Sequence, residues 1–429
     1  MRVLVYPNTS EIGGSQLNAV ELAGAVRDRG HDVLVLAEDG PLLERVAQLG
    51  LERVPLAPRS RRPSPAVMRQ LCGLVASRGI DVVHGYEWPP ALEAFFGPRL
   101  RHGTPCVTTV MSMAVAPFVP GTAPLVVGTA QIRAAAQPGR RAPTVLIEPP
   151  VDVEFNRPGP PPPDSRAGLG VSRDSELVVV VSRLAAELKL EGLLTAMDLV
   201  GDLAPTRDVQ LLIVGDGPAR DAVAVRAQQV NERAGRAAVV LAGALADPRS
   251  AYAVADVVLG MGGSALRAMA FAKPVVVQGE RGYFKLLSPE TVSAFLDQGW
   301  YGVGDGTGGP QRLAAILTEL LDSPIRRDEL GAYARRLVVD RFSLVQAAAV
   351  QEAVYVDALA GSTDRTHLVE DIVRTSVRFA GYKIKVKAAR LRGAAPADDS
   401  NALAVVHRLP AKPEALAVPL RKPTEREPR

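Results

Sequence analysis

A short run of apolar residues, VVVVSRLAAELK over Val178–Lys189, is followed by two cations that could bind an anion. The valines are typical of a buried strand in a parallel sheet, and Arg183 and Lys189 follow its carboxyl end. Ligands of open α/β sheets bind beyond that end of the strands. An arginine offers a rigid fork of donors and a lysine a mobile point charge, so this pair suits a diphosphate. The alternative is a pair of solvated surface cations beside Glu187 and Glu191.

Glycine turns follow other apolar runs and would let backbone N–H groups approach the same anion at the positive end of a helix. They are Gly13 and Gly14 at the first helix, Gly215 in VGDGP, and Gly260, Gly262 and Gly263 with Ser264 before the helix predicted over Ala265–Ala272. In a cleft between two sheets, the helix starts are expected to point at one diphosphate. A tight strand-to-helix turn without a ligand is the alternative for the loop at 260–264.

Strand and helix patterns alternate through both halves of the chain, which predicts an α/β fold with two Rossmann-like, doubly wound parallel-sheet domains facing a cleft. In the first half, a helix predicted over Leu42–Leu49 is followed directly by another over Ala66–Ser77. A proline-rich connector then separates the halves. The predicted bounds are 1–155 for the first domain, 156–170 for the linker, 171–345 for the second domain, 346–392 for basic C-terminal helices and 393–429 for a disordered tail.

The composition excludes several classes of function. Lys and Arg number 50 against 46 Asp and Glu, and aromatic residues make up only 4% of the chain. This balance of charge and scarcity of stacking side chains predict no nucleic-acid binding. No secretory leader pattern opens the sequence, so we expect a cytoplasmic protein. No Asp-x-Asp motif and no His or Cys cluster has metal-ligand spacing, which predicts that neither a metal nor a cofactor is needed.

Several motifs in fixed order resemble those of the family 4 retaining glycosyltransferases of the two-domain GT-B fold, over residues 1–355. The glycine pair in Ile12–Gln16 and the helix end RDRGHDVLVLA resemble the start of that family's first domain. Its third-strand motif is matched by Asp81–His84, and its crossover by Glu148–Asp152. VSRLAAELK resembles the donor diphosphate site, and VGDGP, Ala255–Val258 and Leu266–Val277 follow in the family's order.

The resemblance implies a glycosyltransferase that moves a sugar from a nucleotide-sugar donor to a glycan, lipid-linked or small-molecule acceptor, retaining the anomeric configuration without a metal. Arg183 and Lys189 would then be the catalytic cations, stabilising charge on the leaving diphosphate. The glycine turns, Ser264 and Arg267 would bind the donor. On the acceptor side, His84 and Glu87 follow a strand end; a structural role for His84 is the alternative.

The sequence departs from the family at two positions where glutamates are usual, which here hold Leu259 and Arg267. An arginine cannot accept hydrogen bonds from ribose hydroxyls. We therefore expect Arg267 to face the cleft and contact a donor phosphate or a carboxylate such as Glu280. The departure leaves a second hypothesis open, a non-catalytic subunit that binds a nucleotide sugar or a partner enzyme. A nucleotide-sugar epimerase, which shares the architecture, is a third.

The segment 367–392 mixes apolar residues with cations, including Arg374, Arg378, Lys383 and Lys385. Such a mixture suits an anionic membrane surface and predicts a peripheral contact at the inner membrane face. The alternative is a helix packed on the first domain, which is favoured by the lack of one clean apolar stripe.

Overall fold

A computed structural model describes residues 1–112, 114–361 and 364–391. The strands of the first sheet are β1 (Arg2–Tyr6), β2 (Asp32–Ala37), β3 (Glu52–Pro55), β4 (Val82–Tyr86), β5 (Cys106–Val110), β6 (Leu125–Val127) and β7 (Thr144–Leu146). They are all parallel and lie in the order β3-β2-β1-β4-β5-β6-β7. Helices cover both faces of the sheet, so consecutive residues of a strand, such as Val3, Leu4 and Val5, are all buried. This burial explains why the strands are continuous apolar runs in the sequence.

Helices cover this first sheet. They are α1 (Gly14–Arg27), α2 (Leu42–Gln48), α3 (Pro65–Arg78), α4 (Trp88–Ala94), a π-helical turn (Phe95–Arg99), α5 (Leu100–His102) and α6 (Ala130–Ala136). Strand β3 was missed between the two helices predicted at 42–49 and 66–77. It is a four-residue edge strand, ERVP, whose charged residues and proline suit an edge and leave no apolar run to detect.

The second sheet contains β8 (Glu176–Val181), β9 (Val209–Val214), β10 (Val239–Gly243), β11 (Val257–Gly260), β12 (Val275–Gln278) and β13 (Phe284–Leu286). Their order is β10-β9-β8-β11-β12-β13. The predicted pair of parallel-sheet domains is confirmed, with one addition: β13 is antiparallel to β12. In both sheets the strand order reverses beside the first strand, between β1 and β4 and between β8 and β11, and such a switch opens a ligand crevice at the strand ends.

The helices that follow complete the second domain and then return to the first. They are α7 (Ser165–Gly168), α8 (Leu190–Leu203), α9 (Arg220–Ala234), α10 (Arg249–Val254), α11 (Gly263–Ala270), α12 (Val292–Gln298), α13 (Gly309–Asp322), α14 (Pro324–Arg341), α15 (Leu344–Ala360) and α16 (Arg365–Leu391). The two crossings of the chain lie side by side, because Val151 bonds to the backbone of Phe342 and Leu344. Helix α15 then packs on α1, with Ala348 and Tyr355 buried in the first domain's core.

Helix α16 also packs on the first domain, as the alternative for this segment predicted, and it has two apolar faces. Phe379 and Tyr382 of one face pack around Trp88 and Phe118 in an aromatic cluster. The other face carries apolar side chains that are all exposed: Val369, Val373, Val377, Ile384 and Leu391. The sequence therefore showed no single clean stripe because two stripes overlap. Among the described helices, none is both long and apolar enough to cross a bilayer. The tail predicted at 393–429 lies outside the described residues.

Candidate functional site

Arg183 and Lys189 lie together in the loop between β8 and α8. Burial removes the Lys189 ammonium from water and the positive charge of Arg183 lies nearby; together they lower the pKa of Lys189 to about 8. The Leu188 N–H between them donates to Glu280 Oε1 at 3.1 Å, and Leu188 has a positive φ of 67°. Within the described parts of the chain, no ion pair joins either cation to a carboxylate. The loop therefore concentrates positive charge beside the switch point of the second sheet.

Gly215 packs closely against the backbone of this loop and restricts its position. It follows β9 with φ of 144°, and a Cβ there would lie 1.9 Å from the carbonyl oxygen of Ser182. The Leu184 N–H then donates to the Asp216 carbonyl at 2.9 Å, and the Ala219 N–H donates to the Leu184 carbonyl at 2.9 Å. Gly215 thus holds the backbone on either side of Arg183, whereas a direct contact between Gly215 and the donor stays a prediction.

The glycine loop before α11 is largely engaged with the protein itself. Gly262, at φ of 54°, donates its N–H to the Trp300 carbonyl at 2.7 Å. The Ser264 hydroxyl accepts from the Met261 N–H at 3.1 Å and donates to the Met261 carbonyl at 3.0 Å. A Cβ on Gly260 would lie 3.0 Å from Ala265 N. These contacts favour the alternative of a tight turn at Gly260, Gly262 and Ser264, and donor binding by this loop stays a prediction.

Arg267 faces the first domain and contacts a carboxylate, as predicted, but that carboxylate is not the suggested Glu280. It donates to both carboxylate oxygens of Glu21 in α1, at 3.2 and 3.1 Å. Arg45 approaches the same carboxylate at 3.4 Å. Burial alone would lower the pKa of Arg267, but the Glu21 carboxylate outweighs it and the pKa is raised. The predicted carboxylate contact is thus present, with Glu21 in place of the example Glu280, and a contact between Arg267 and a donor phosphate stays a prediction.

On the facing side of the crevice, Glu87 ties the first-helix loop to the end of β5. Its carboxylate accepts hydrogen bonds from the hydroxyls of Ser15 and Ser112, both at 2.9 Å, and from the Met111 N–H at 3.0 Å. Gly13 is the N-cap of α1 and Gly14 its first residue, so both lie next to Ser15. The structure thus brings Gly13, Gly14 and Glu87 together. Glu87 is buried, and its hydrogen bonds connect the start of α1 to the end of β5.

The environment of His84 favours the structural role that was the alternative to an acceptor contact. Its side chain is fully buried in β4, with Nδ1 at 2.7 Å from the Tyr355 hydroxyl and Nε2 at 2.7 Å from Thr109 Oγ1. Burial lowers the pKa of His84 to about 3, so the ring is neutral near pH 7. The sequence did not show this burial, because the α15 residue that bonds to His84, Tyr355, lies 271 residues away along the chain.

Sequence reasoning missed Glu21 and Arg45. One signal was present: Glu21 interrupts the apolar positions of the first helix, between Ala19 and Leu22, and is buried with them. A buried carboxylate requires a cation, which the sequence does not locate. In the described part of the chain, no group of three or more His, Cys, Asp or Glu could hold a metal ion.

Two family models match the chain, one over each domain. Glycosyltransferase Family 4 matches residues 12–154, and Glycosyl transferases group 1 matches residues 175–322. A D-inositol 3-phosphate glycosyltransferase of Kineococcus radiotolerans is 29% identical over 395 residues, spanning 78% of this chain and 88% of that protein. Both family matches end before α14, so α15 and α16 lie outside them.

Solved structures share the fold. A glycosyltransferase from Rickettsia africae superposes with a TM-score of 0.66 at 16% identity, covering 84% of this chain and 99% of that one. Anabaena Alr3699/HepE in complex with UDP gives 0.63 at 18% identity, covering 82% and 99%. The same Anabaena protein with UDP-glucose gives 0.64 at 18% identity, covering 82% and 99%. At these identities, the likeness concerns the fold.

Proposed function

The chain belongs to the family 4-like glycosyltransferases of the GT-B fold, and from that premise we propose that it transfers a sugar with retention of anomeric configuration and without a metal ion. The acceptor is held by the first domain. One observation carries the proposal: Arg183 and Lys189 lie near each other in the loop after β8, and no ion pair joins either to a carboxylate among the described residues. A site that stabilises a leaving diphosphate needs such charge.

Breaking the bond between the anomeric carbon and the nucleoside diphosphate leaves added negative charge on the leaving phosphate. Arg183 supplies a guanidinium group, and Lys189, with a pKa of about 8, is mostly protonated at neutral pH. The Gly215 turn and the Leu188–Glu280 hydrogen bond fix the loop before substrate arrives. Fixed charge placed where negative charge develops lowers the barrier without reorganisation.

The first substrates to test follow from the comparisons. UDP and UDP-glucose are held by an Anabaena protein of the same fold, so UDP-sugars are the first donors. The Kineococcus relative has inositol 3-phosphate in its name, so a phosphorylated polyol is the first acceptor. Glycan and lipid-linked acceptors follow.

The test measures UDP release and product configuration by proton NMR, with and without EDTA. Arg183→Ala is expected to lower kcat about 100- to 1000-fold, as the loss of a transition-state donor does. Arg226→Ala is the control, because Arg226 pairs with Asp198 between the outer helices α8 and α9. A product of inverted configuration would overturn the retaining mechanism, and loss of turnover in EDTA would overturn metal independence. Full activity of Arg183→Ala would overturn the role of Arg183 at the diphosphate.

We also propose a peripheral contact between α16 and an anionic membrane. The exposed residues Val369, Val373 and Val377 lie one turn apart on its outer face. From Arg374 to Leu391 the helix contains no Asp or Glu, and it includes the exposed Lys385 and Lys387. Apolar side chains flanked by cations suit the boundary between head groups and acyl chains.

A further inference from the structure

A cavity of about 330 Å³ lies between α16 and the first domain, apart from the diphosphate loop. Its walls differ in chemistry. Helix α6 contributes only apolar side chains, Ile132, Ala135 and Ala136. Helix α16 contributes only arginines, Arg374 and Arg378.

The cationic wall is held in place by the protein. Asp371 anchors α16 by accepting hydrogen bonds from the backbone N–H groups of Gly121 and Thr122, at 3.0 and 2.8 Å. Arg374 pairs with Asp371 and donates to the Gly139 carbonyl at 3.0 Å. Arg378 donates to the Pro117 carbonyl at 3.0 Å. Their guanidinium groups are therefore fixed at the cavity before any ligand arrives.

A third cation completes this wall. Arg140 donates to the carbonyls of Pro120 and Ala123, at 2.8 and 2.7 Å, and its buried Nε has no partner among the described residues. Burial lowers the pKa of Arg140 to about 10, with Asp371 opposing that fall and Arg374 adding to it. Arg140, Arg374 and Arg378 thus line the cavity, and no Asp or Glu is among its described lining residues. Asp371 pairs with Arg374 beside it, which leaves excess positive charge.

The position of the cavity relates it to the crevice. Its lining begins at Ala114, two residues beyond Ser112, which bonds to Glu87 at the strand ends. Thr129 caps α6 and lies close to Gly299 of the second domain, so α6 runs from the domain interface to the cavity. The cavity therefore lies on the acceptor-side domain, within one short helix of the interface.

We propose that this cavity binds the phosphate of an acceptor whose attached body is apolar, with Arg140, Arg374 and Arg378 on the phosphate and α6 against the apolar part. The proposal rests on the proposed transfer only in naming the ligand an acceptor. Guanidinium forks match phosphate oxygens, and an apolar wall distinguishes a lipid-like phosphate from a free one. Arg374 and Arg378 of α16 lie outside the matched family ranges, whereas Arg140 and α6 lie within the first of them.

Isothermal titration of the full chain with monomeric octyl phosphate tests the proposal, beside octyl glucoside and inorganic phosphate. We expect octyl phosphate to bind more tightly than either. Arg378→Gln should weaken it about tenfold, because a charge-assisted hydrogen bond is lost. Arg133→Gln, an exposed arginine of α6 outside the cavity, is the charge control. Ala135→Phe should block the apolar wall, and Ala134→Phe on the same helix should not.

Each outcome decides a part of the proposal. Equal binding of inorganic and octyl phosphate would support the phosphate site and contradict the predicted contact with an apolar body. Binding of octyl glucoside alone would contradict phosphate recognition. No binding, or equal loss in Arg378→Gln and Arg133→Gln, would overturn the site. Donor hydrolysis without acceptor is measured in the wild type and in the same variants. Absence of hydrolysis in the wild type would count against the proposed transferase. Hydrolysis retained in Arg378→Gln, together with weaker binding of octyl phosphate, would support the cavity as a separate binding site.

Discussion

Arg267 of the second domain donates hydrogen bonds to both carboxylate oxygens of Glu21 in the first, at 3.2 and 3.1 Å. The Glu21 side chain is only 7% exposed and also lies 3.4 Å from Arg45. One buried carboxylate thus serves a cation from each domain. Arg267, at the position where the resemblance predicts a glutamate, here joins the two domains.

Replacing Glu21 is expected to cost more stability than replacing Arg267. Glu21→Gln leaves two guanidinium groups without their carboxylate, at a cost of about 3 kcal/mol for a broken buried pair. Arg267→Gln leaves Arg45 on Glu21 and should cost about 2 kcal/mol, as for a lost bond to a charged group. Thermal midpoints measure both. Glu352→Gln, which removes a more exposed carboxylate from Arg29 and His31, is the control. An equal shift in Glu21→Gln and Glu352→Gln would contradict the pair's importance.

Catalysis is expected to depend on the protonation of Lys189. The ammonium is present below its pKa of about 8 and lost above it, so kcat/KM should fall as pH rises through that value. The limiting slope is about tenfold per pH unit, since kcat/KM follows groups of the free enzyme. Lys189→Arg keeps the charge and should move the fall to higher pH. An unchanged midpoint in that variant would assign the fall to another group.

Gly215 is expected to tolerate no side chain. In Gly215→Ala the Cβ would meet the Ser182 carbonyl at 1.9 Å, so the loop carrying Arg183 must shift. A displacement near 1 Å should lower kcat/KM about 100-fold. Gly235→Ala is the matched control, because Gly235 also has a positive φ, of 65°, but nothing within 4 Å of its Cβ position. Steady-state rates with the preferred donor would compare them, and equal losses would refute the steric argument.

The outer face of α16 is expected to mediate binding to anionic liposomes. Val373→Asp with Val377→Asp places two carboxylates on that face and should reduce sedimentation with phosphatidylglycerol vesicles. Val345→Asp changes an exposed valine of α15 and serves as control. Each cation near the surface contributes about 1 kcal/mol, so binding should also weaken at high salt. Equal sedimentation of all variants would leave α16 without a membrane role.

Sequence reasoning succeeded where the chain's local pattern reflects its burial. Strands covered on both faces, such as β8, appear as apolar runs, and the residues that follow them reach the crevice. It failed where a partner lies far along the chain, as for Arg267 and Glu21, 246 residues apart. The edge strand β3 was not predicted for another reason. A half-covered strand of four residues carries too few apolar side chains to form a recognisable pattern. The parallel sheets were thus predictable, and the contacts between separate elements were not.

The return of α15 to the first domain affects how the chain folds as it is synthesised. Val354 and Tyr355 share a core cluster with Val5 and Leu22, yet the ribosome makes them only after the whole second domain. Until then, His84 lacks the hydroxyl that bonds its Nδ1, and the face of β4 that α15 covers stays open to water. The core of the first domain is therefore completed only after the second domain has been synthesised. Domain order along the chain is not the order in which the domains are finished.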